Sequence, residues 1–215
     1  MLLRHMFTTS LTLAAFALVG TVLLALTDLA TEKRIAENEY QALLDSLQAL
    51  VPATLFDNDI VADRIEVTSK EWLGSDQPVS VYRARQADKT TAVVITPIAP
   101  DGYNGNINLL VGIRMDGMLL GVRVIRHRET PGLGDGIEEE RSPWIFQFND
   151  KSLTAPQANS WRVKKDGGDF DQLTGATITP RAIVKAVHRS LQYFAEHKQT
   201  LIATPPKQSN EDSSL

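Results

Sequence analysis

Two loops in this 215-residue chain hold residue types and spacings that could do chemistry. The first runs His127-Arg128-Glu129-Thr130-Pro131-Gly132-Leu133-Gly134-Asp135-Gly136. Glycine at 132, 134 and 136 frees the backbone for positive φ and for close approach to a ligand. Exposed amides there can bind an anion or the edge of a planar ring. The loop is not a Gly-x-Gly-x-x-Gly dinucleotide fingerprint, because it follows a hairpin strand and no helix pattern follows it. A plain glycine-rich turn accounts for the same residues. The second loop runs Asp171-Gln172-Leu173-Thr174-Gly175-Ala176-Thr177. A threonine hydroxyl is a poor nucleophile unaided, and threonines near a helix start are usually caps. A phosphate held here would nevertheless lie close to a helix N-terminus, where free amides and the dipole favour negative charge. The small residues Gly175 and Ala176 leave Thr177 within reach of a modifying enzyme.

The elements that must position these loops are legible as patterns. Thr179-Pro180 predicts a helix start, with threonine as N-cap and proline at the first helical position. Ile183, Val187, Leu191 and Phe194 mark its buried face. Upstream, Val79 to Arg85 alternates and Thr90 to Ile98 is rich in β-formers. Ile107–Arg114 and Met118–Arg126 flank Met115-Asp116-Gly117, a hairpin signal. Pro143 after Ser142 predicts a short helix carrying Trp144, Phe146 and Phe148. Hairpin strands segregated from terminal helices predict an α+β domain, antiparallel and β-rich, with flanking helices.

At the amino end, Met6 to Thr27 is 22 residues without charge, between Arg4-His5 and Asp28. As a helix it spans about 33 Å, against a hydrocarbon core of about 30 Å. A cleaved signal peptide would have a shorter apolar core and a small-x-small site before Asp28, so a retained transmembrane anchor is the better reading. Arg4 favours a cytoplasmic start, whereas Lys33 and Arg34 oppose it, so charge bias does not decide orientation. Thr31 to Leu50 reads as a separate amphipathic helix, with Thr31 as its cap and Pro52 just beyond its end. The expected organisation is an anchor at 1–30, a domain at 31–203 and a disordered tail at 204–215 rich in Pro, Ser, Asn and acid.

Composition narrows the function classes. The net charge of −4 argues against a nucleic-acid partner. With no cysteine, disulfides, iron–sulfur clusters and thiol nucleophiles are excluded together. The four histidines show no metalloprotease spacing, and no Gly-x-Ser-x-Gly elbow occurs. No side chain of this protein is itself redox-active.

Gly102-Tyr103-Asn104-Gly105-Asn106-Ile107, the Asp-Gly hairpin, His127 to Gly134 and Asp171 to Thr177 occur in one order. Together they resemble the FMN-binding domain of the G subunit of the Rnf electron-transport complex. The likeness covers nearly all of the chain up to the tail. The chain is also similar to the C subunit of the sodium-pumping NADH:quinone reductase, though its shorter length fits the Rnf type better. The resemblance implies FMN joined through its phosphate to Thr177 within Thr174-Gly175-Ala176-Thr177. It implies Glu129, Thr130, Leu133 and Gly134 beside the flavin, with Lys164 a further contact. It implies an FAD:protein FMN transferase as maturation enzyme, other membrane, iron–sulfur and flavin subunits as partners, and a single-pass protein of the bacterial inner membrane with its domain in the periplasm. Its role would be electron relay in a complex coupling ferredoxin/NAD-type electron transfer to ion movement. A cofactor-free anchored assembly domain is the alternative from a different class.

Overall fold

The computed structural model describes residues 2–203; the tail expected at 204–215 lies outside the described residues. The chain falls into two compact units, Met1–Asp45 and Ser46–Leu215. The first unit belongs to helix α1 (Leu2–Leu50). Within it, Leu13–Glu32 has a mean hydropathy of 2.1 and is long and apolar enough to cross a membrane. The separate helix expected from Thr31 does not exist as such, because α1 continues through that point without a break. Thr31 caps nothing: its hydroxyl donates back to the Thr27 carbonyl at 2.8 Å, inside the helix. A back-bonded threonine costs a helix little, so the polar residues from Thr27 onward change the helix's environment without ending it. The structural division falls at Asp45/Ser46, beyond the sequence-expected boundary at residue 30.

The second unit is built on an antiparallel sheet: β1 (Arg64–Ser69), β2 (Ser75–Gln86), β3 (Lys89–Ile95), β4 (Ile98–Gly102), β5 (Gly105–Arg114) and β6 (Leu119–Arg126). The short helix α2 (Lys70–Leu73) joins β1 to β2. Along β5, β3 pairs with residues 111–114 and β4 with residues 105–108, so these two strands lie end to end on one edge. β6 takes the other edge. Only the alternating and β-branched strands were visible as pattern; β1 carries too much charge, in Arg64 and Glu66, to announce itself.

The sheet is buried on both faces, which is why β3 and β5 read as near-continuous apolar runs rather than alternating ones. One row, Val81–Ile95–Val111–Val122, is wholly buried and belongs to the main core. Helix α3 (Ile178–Ile202) crosses β3, β4 and β5 on this side. Its residues Ile183, Val187, Leu191 and Phe194 are buried as the 3.6-residue period requires. The neighbouring row, Tyr82–Val94–Gly112–Gly121, faces the other way. Leu50 seats there: a Cβ at either Gly112 or Gly121 would come within 3.0 Å of its side chain. Beyond Leu50 the chain is stitched along the edge of β2, with Asp57 N donating to Arg85 O at 2.7 Å and Asn58 Nδ2 to Arg83 O at 3.0 Å. Arg83, 2% exposed, donates to Asp63 and, at 2.6 Å, to the Ala203 carbonyl at the end of α3.

One part of the main core is aromatic. The 3-10 helix Pro143–Phe148, capped by Ser142 as expected, delivers Trp144 and Phe148. Phe148 stacks on Phe170 at 4.9 Å and meets Trp144 edge-on at 5.6 Å. Trp161 completes the group and lies parallel to His188 of α3, 5.1 Å away.

Two outcomes test this packing. Gly112→Ala overpacks the Leu50 socket and is expected to cost about 1–3 kcal/mol, and much less when Leu50 is also alanine. A double-mutant cycle by chemical unfolding measures this, and strictly additive effects would refute the socket. Burial pushes the His188 pKa below its ordinary value. The unfolded chain therefore binds more protons between the folded pKa and about 6.5. The stability gained by keeping His188 neutral is present above that window and lost as pH falls through it. His188→Gln should flatten the loss of stability between pH 7 and 5; an unchanged slope would place the loss elsewhere.

Candidate functional site

The Asp171–Thr177 segment is held at its start and turned at its middle. Phe170, fixed in the aromatic group, brings Asp171 to the 3-10 helix. There Trp144 Nε1 donates to the Asp171 carbonyl at 2.6 Å, and Asp171 N donates to Gln147 Oε1 at 2.7 Å. Leu173 and Ala176 then close a turn, Ala176 N to Leu173 O at 3.1 Å. Gly175 takes φ of 80° at the third position of this turn, the conformation type II turns reserve for glycine.

Helix α3 begins earlier than its sequence suggests. Ile178 is its first residue and Thr177 occupies the cap position, with φ −98° and ψ −27°, but the Thr177 side chain makes no capping hydrogen bond. Pro180 is third in the helix, where a missing N–H still leaves no helical partner unsatisfied. Thr179, expected as the cap, is fully buried, and its hydroxyl donates to Glu129 Oε2 in a short bond. The hydroxyl that sequence assigns to capping is thus consumed by tertiary structure, and Thr177, partly exposed, has its own hydroxyl uncommitted among the described residues.

Glu129 organises the opposite wall. It is 5% exposed, and its Oε1 accepts the Asn104 backbone N–H at 3.0 Å. Asn104 Nδ2 in turn donates to Thr130 Oγ1 at 3.1 Å. The Glu129 N–H donates to His127 Nδ1 at 3.0 Å, which assigns the ring proton to Nε2, 2.6 Å from Glu138 Oε1. The amides of Leu133 and Gly134 both bond the Thr130 carbonyl, at 3.1 and 3.0 Å. Gly134 fits only as glycine: a Cβ would lie 2.9 Å from Glu129 Cβ and Oε2.

Between the two walls lies a cavity of about 390 Å³, within the range of small-molecule sites. Of the residues expected at the site, Glu129, Thr130, Leu133, Gly134, Gly175, Ala176 and Thr177 line it together. Thr174 sits exposed on the turn, outside the lining. Lys164 is not brought there either; its ammonium pairs with Asp171 at 2.6 Å, at the start of the acceptor segment. Tyr103, Ile178 and Thr179 line the cavity without having been singled out as contacts. Tyr103 lies in the turn that tethers Asn104 to Glu129, so adjacency to a loop glycine was the signal that could have found it. A larger cavity of about 590 Å³, between the Met115–Met118 turn and the C-terminal half of α3, contains none of these residues.

The cavity suits a flavin. Leu133, Ala176, Ile178 and Tyr103 offer apolar and aromatic surface, while Glu129 and Thr130 on one wall and Thr177 on the other supply polar groups. No cationic side chain lines it, so a phosphate at Thr177 would rest on the free amides and positive end of α3.

The fold and this site define an FMN-binding domain carried behind a helix apolar enough for a membrane. Residues 102–192 match the family model for the FMN-binding domain, and residues 1–50 match that for the RnfG N-terminal region. The chain belongs to the family of G subunits of ion-translocating oxidoreductase complexes. It is 48% identical to the G subunit of Pseudomonas aeruginosa (strain UCBPP-PA14), over 93% of this chain and 94% of the relative. It is 48% identical to that of Shewanella amazonensis, over 87% of each chain, and 46% identical to that of Vibrio cholerae, over 91% and 93%. Among solved structures it is similar to the C subunit of the sodium-translocating NADH-quinone reductase from Parabacteroides distasonis, at 17% identity and a TM-score of 0.44, covering 69% of this chain and 72% of that one.

Gly134→Ala forces the added methyl against the Glu129 carboxylate and should cost about 1–3 kcal/mol by overpacking. Flavin content should fall with it. Unfolding midpoint and flavin absorbance of the purified variant check both; an unperturbed protein would show that Glu129 is free to move.

Proposed function

We propose that Thr177 carries FMN as a phosphoester and that this chain relays electrons within its complex rather than turning over a substrate. The observation that carries the reading is the uncommitted Thr177 hydroxyl at the mouth of a flavin-sized cavity, at the N-terminus of a 25-residue helix. A threonine hydroxyl is a poor nucleophile unaided, so a separate transferase supplies activation. The threonine oxygen bonds to phosphorus, the diphosphate bond of an FAD donor breaks, AMP leaves, and the hydroxyl proton passes to the transferase. Bound FMN supplies one- and two-electron chemistry that no side chain here can. The protein's own groups then do the positioning. Gly175 and Ala176 leave room at the attachment point, and the start of α3 offers amides to the ester phosphate. Leu133 and Tyr103, which line the cavity, would offer the ring apolar and aromatic surface. Glu129 holds the second wall against α3 while keeping both its oxygens bonded. The covalent tether prevents loss of the cofactor and fixes its distance from neighbouring carriers in the other subunits.

We also infer that Leu13–Glu32 anchors the chain in the inner membrane with the FMN domain in the periplasm, as an extracytoplasmic acceptor for such a transferase would require.

Protein made in a host with the transferase should show a mass increase matching FMN less water on the peptide containing Thr177. Thr177→Val should abolish it along with in-gel fluorescence, while leaving the unfolding free energy within about 1 kcal/mol because no cap is lost. Covalent flavin persisting in that variant would end the assignment. For orientation, the absence of cysteine makes Gln157→Cys, at an exposed position, a clean reporter. A membrane-impermeant maleimide should label it in intact cells with a permeabilised outer membrane; labelling only after lysis would reverse the topology.

A further inference from the structure

Histidine is the side chain whose ordinary titration falls between about pH 5 and 8, and one stands at the start of the loop that walls the flavin cavity. His127 follows directly on β6, and its side chain is 12% exposed. Its two ring nitrogens face different partners. Nδ1 accepts the Glu129 N–H, two residues on, at 3.0 Å. Asp and Asn side chains hold turns in this way; here the acceptor is one that can take up a proton. Nε2 lies 2.6 Å from Glu138 Oε1. Only the neutral ring with its proton on Nε2 serves both partners. The bond matters to the cavity because Glu129 lines it, and the Glu129 carboxylate joins the β4–β5 turn to the first turn of α3.

Protonation sets the two partners against each other. With a proton on both nitrogens the ring has no acceptor left for the Glu129 N–H, and two donors 3.0 Å apart repel. The bond to Glu138 becomes charge-assisted and stronger. The surrounding charges are mixed. On one side His127 shares a hollow with Glu138, Glu139, Glu140 and Arg123, and Arg123 is paired to Glu139 at 2.6 Å. Arg141, mostly exposed, stands 3.7 Å from the other Glu138 oxygen. On the other side Arg126 and Arg128, both exposed, line a second hollow with the ring. The Glu129 carboxylate is already engaged by Asn104 and Thr179. Glu138 is in direct contact with the ring, so an imidazolium keeps Glu138 and gives up the Glu129 N–H.

We propose that His127 is a positioning residue that latches the flavin loop in a pH-dependent way. Neutral, it fixes the backbone at Glu129; protonated at Nδ1, it turns to Glu138 and releases that backbone. The latch is closed above the His127 titration and opens as pH falls through it. Opening loosens one wall of the cavity and leaves the other, on α3 and the aromatic group, in place. The effect on the cofactor rests on the reading of the cavity as a flavin site; the latch itself does not.

Two variants separate the two nitrogens. His127→Asn puts an amide oxygen where Nδ1 stands and does not titrate. His127→Gln reaches toward Glu138 and leaves the Glu129 N–H without its acceptor. The test uses the full chain in nanodiscs, made in a host lacking the transferase. It reads hydrogen exchange of the amides of residues 128–134, corrected for their intrinsic pH dependence. Between about pH 8 and pH 5, protection in the wild type should fall about threefold to tenfold further than in His127→Asn, the worth of one hydrogen bond. His127→Gln should be low throughout. His188 is common to all three proteins, so any opening it causes cancels in the comparison. A wild type that tracks His127→Asn over the whole range overturns the proposal, as does a His127→Gln protein protected like the wild type at the upper pH. In flavinylated protein, fluorescence anisotropy of the flavin should fall along the same titration and stay flat in His127→Asn. A pH-silent flavin beside pH-dependent exchange upholds the latch and overturns the flavin reading of the cavity instead.

Discussion

The bond between Glu129 and Thr179 is the constraint on which the flavin cavity depends. A carboxylate 5% exposed must have its oxygens satisfied, and here each is taken by a different part of the chain. One oxygen accepts from Asn104, in the turn between β4 and β5; the other accepts from Thr179, in the first turn of α3. The backbone N–H of the same residue is fixed by His127, which leans on Glu138. Three segments far apart in sequence are thereby held at one point. The cavity is the space left beside it, and Gly134 is the residue that lets the loop close over the carboxylate.

That bond also explains why Thr177 is available. A helix start normally recruits the nearest threonine hydroxyl to an orphan backbone N–H. Here Thr179 is drawn into the interior and α3 begins one residue before it, leaving Thr177 in the cap position with its hydroxyl unspent. The free amides of the first turn are left with it, and they are what an ester phosphate can use. The position of the attachment segment is set separately. Phe170 is locked between Phe148 and Trp161, and the Trp144 indole and Gln147 amide hold Asp171. The two walls are thus anchored by different means, one polar and one aromatic, on a sheet packed on both faces. Walls anchored in this way leave a flavin bound between them little freedom of orientation.

Membership in the G-subunit family of ion-translocating oxidoreductase complexes, with an FMN-binding domain over residues 102–192, places this site in a multi-subunit membrane assembly. The apolar helix, the antiparallel sheet and the cavity are the parts that role needs: a span, a rigid scaffold and a place for a flavin.

Much of this was already in the sequence, for a physical reason. Periodicity reports burial, so β2, β3, β5, β6 and the apolar face of α3 could be read from residue order, as could the Asp-Gly hairpin and the Ser142-Pro143 helix start. The ordered loops at 127–136 and 171–177 marked both walls of the site, because glycine spacing reflects local backbone demands. What residue order could not show is which partner a polar group finds. Thr179 looked like a cap and is a buried donor to Glu129; Lys164 looked like a contact and pairs with Asp171 outside the cavity. Thr31 looked like a helix start and lies in mid-helix. Caps and contacts compete with long-range hydrogen bonds of similar strength, and only the packed chain decides the winner. The sequence by itself determined that Thr177, at the end of Thr174-Gly175-Ala176-Thr177, stands just ahead of a helix. The tertiary structure decided that its side chain makes no capping bond, because a carboxylate fifty residues earlier in the chain draws Thr179 inward and α3 starts at Ile178.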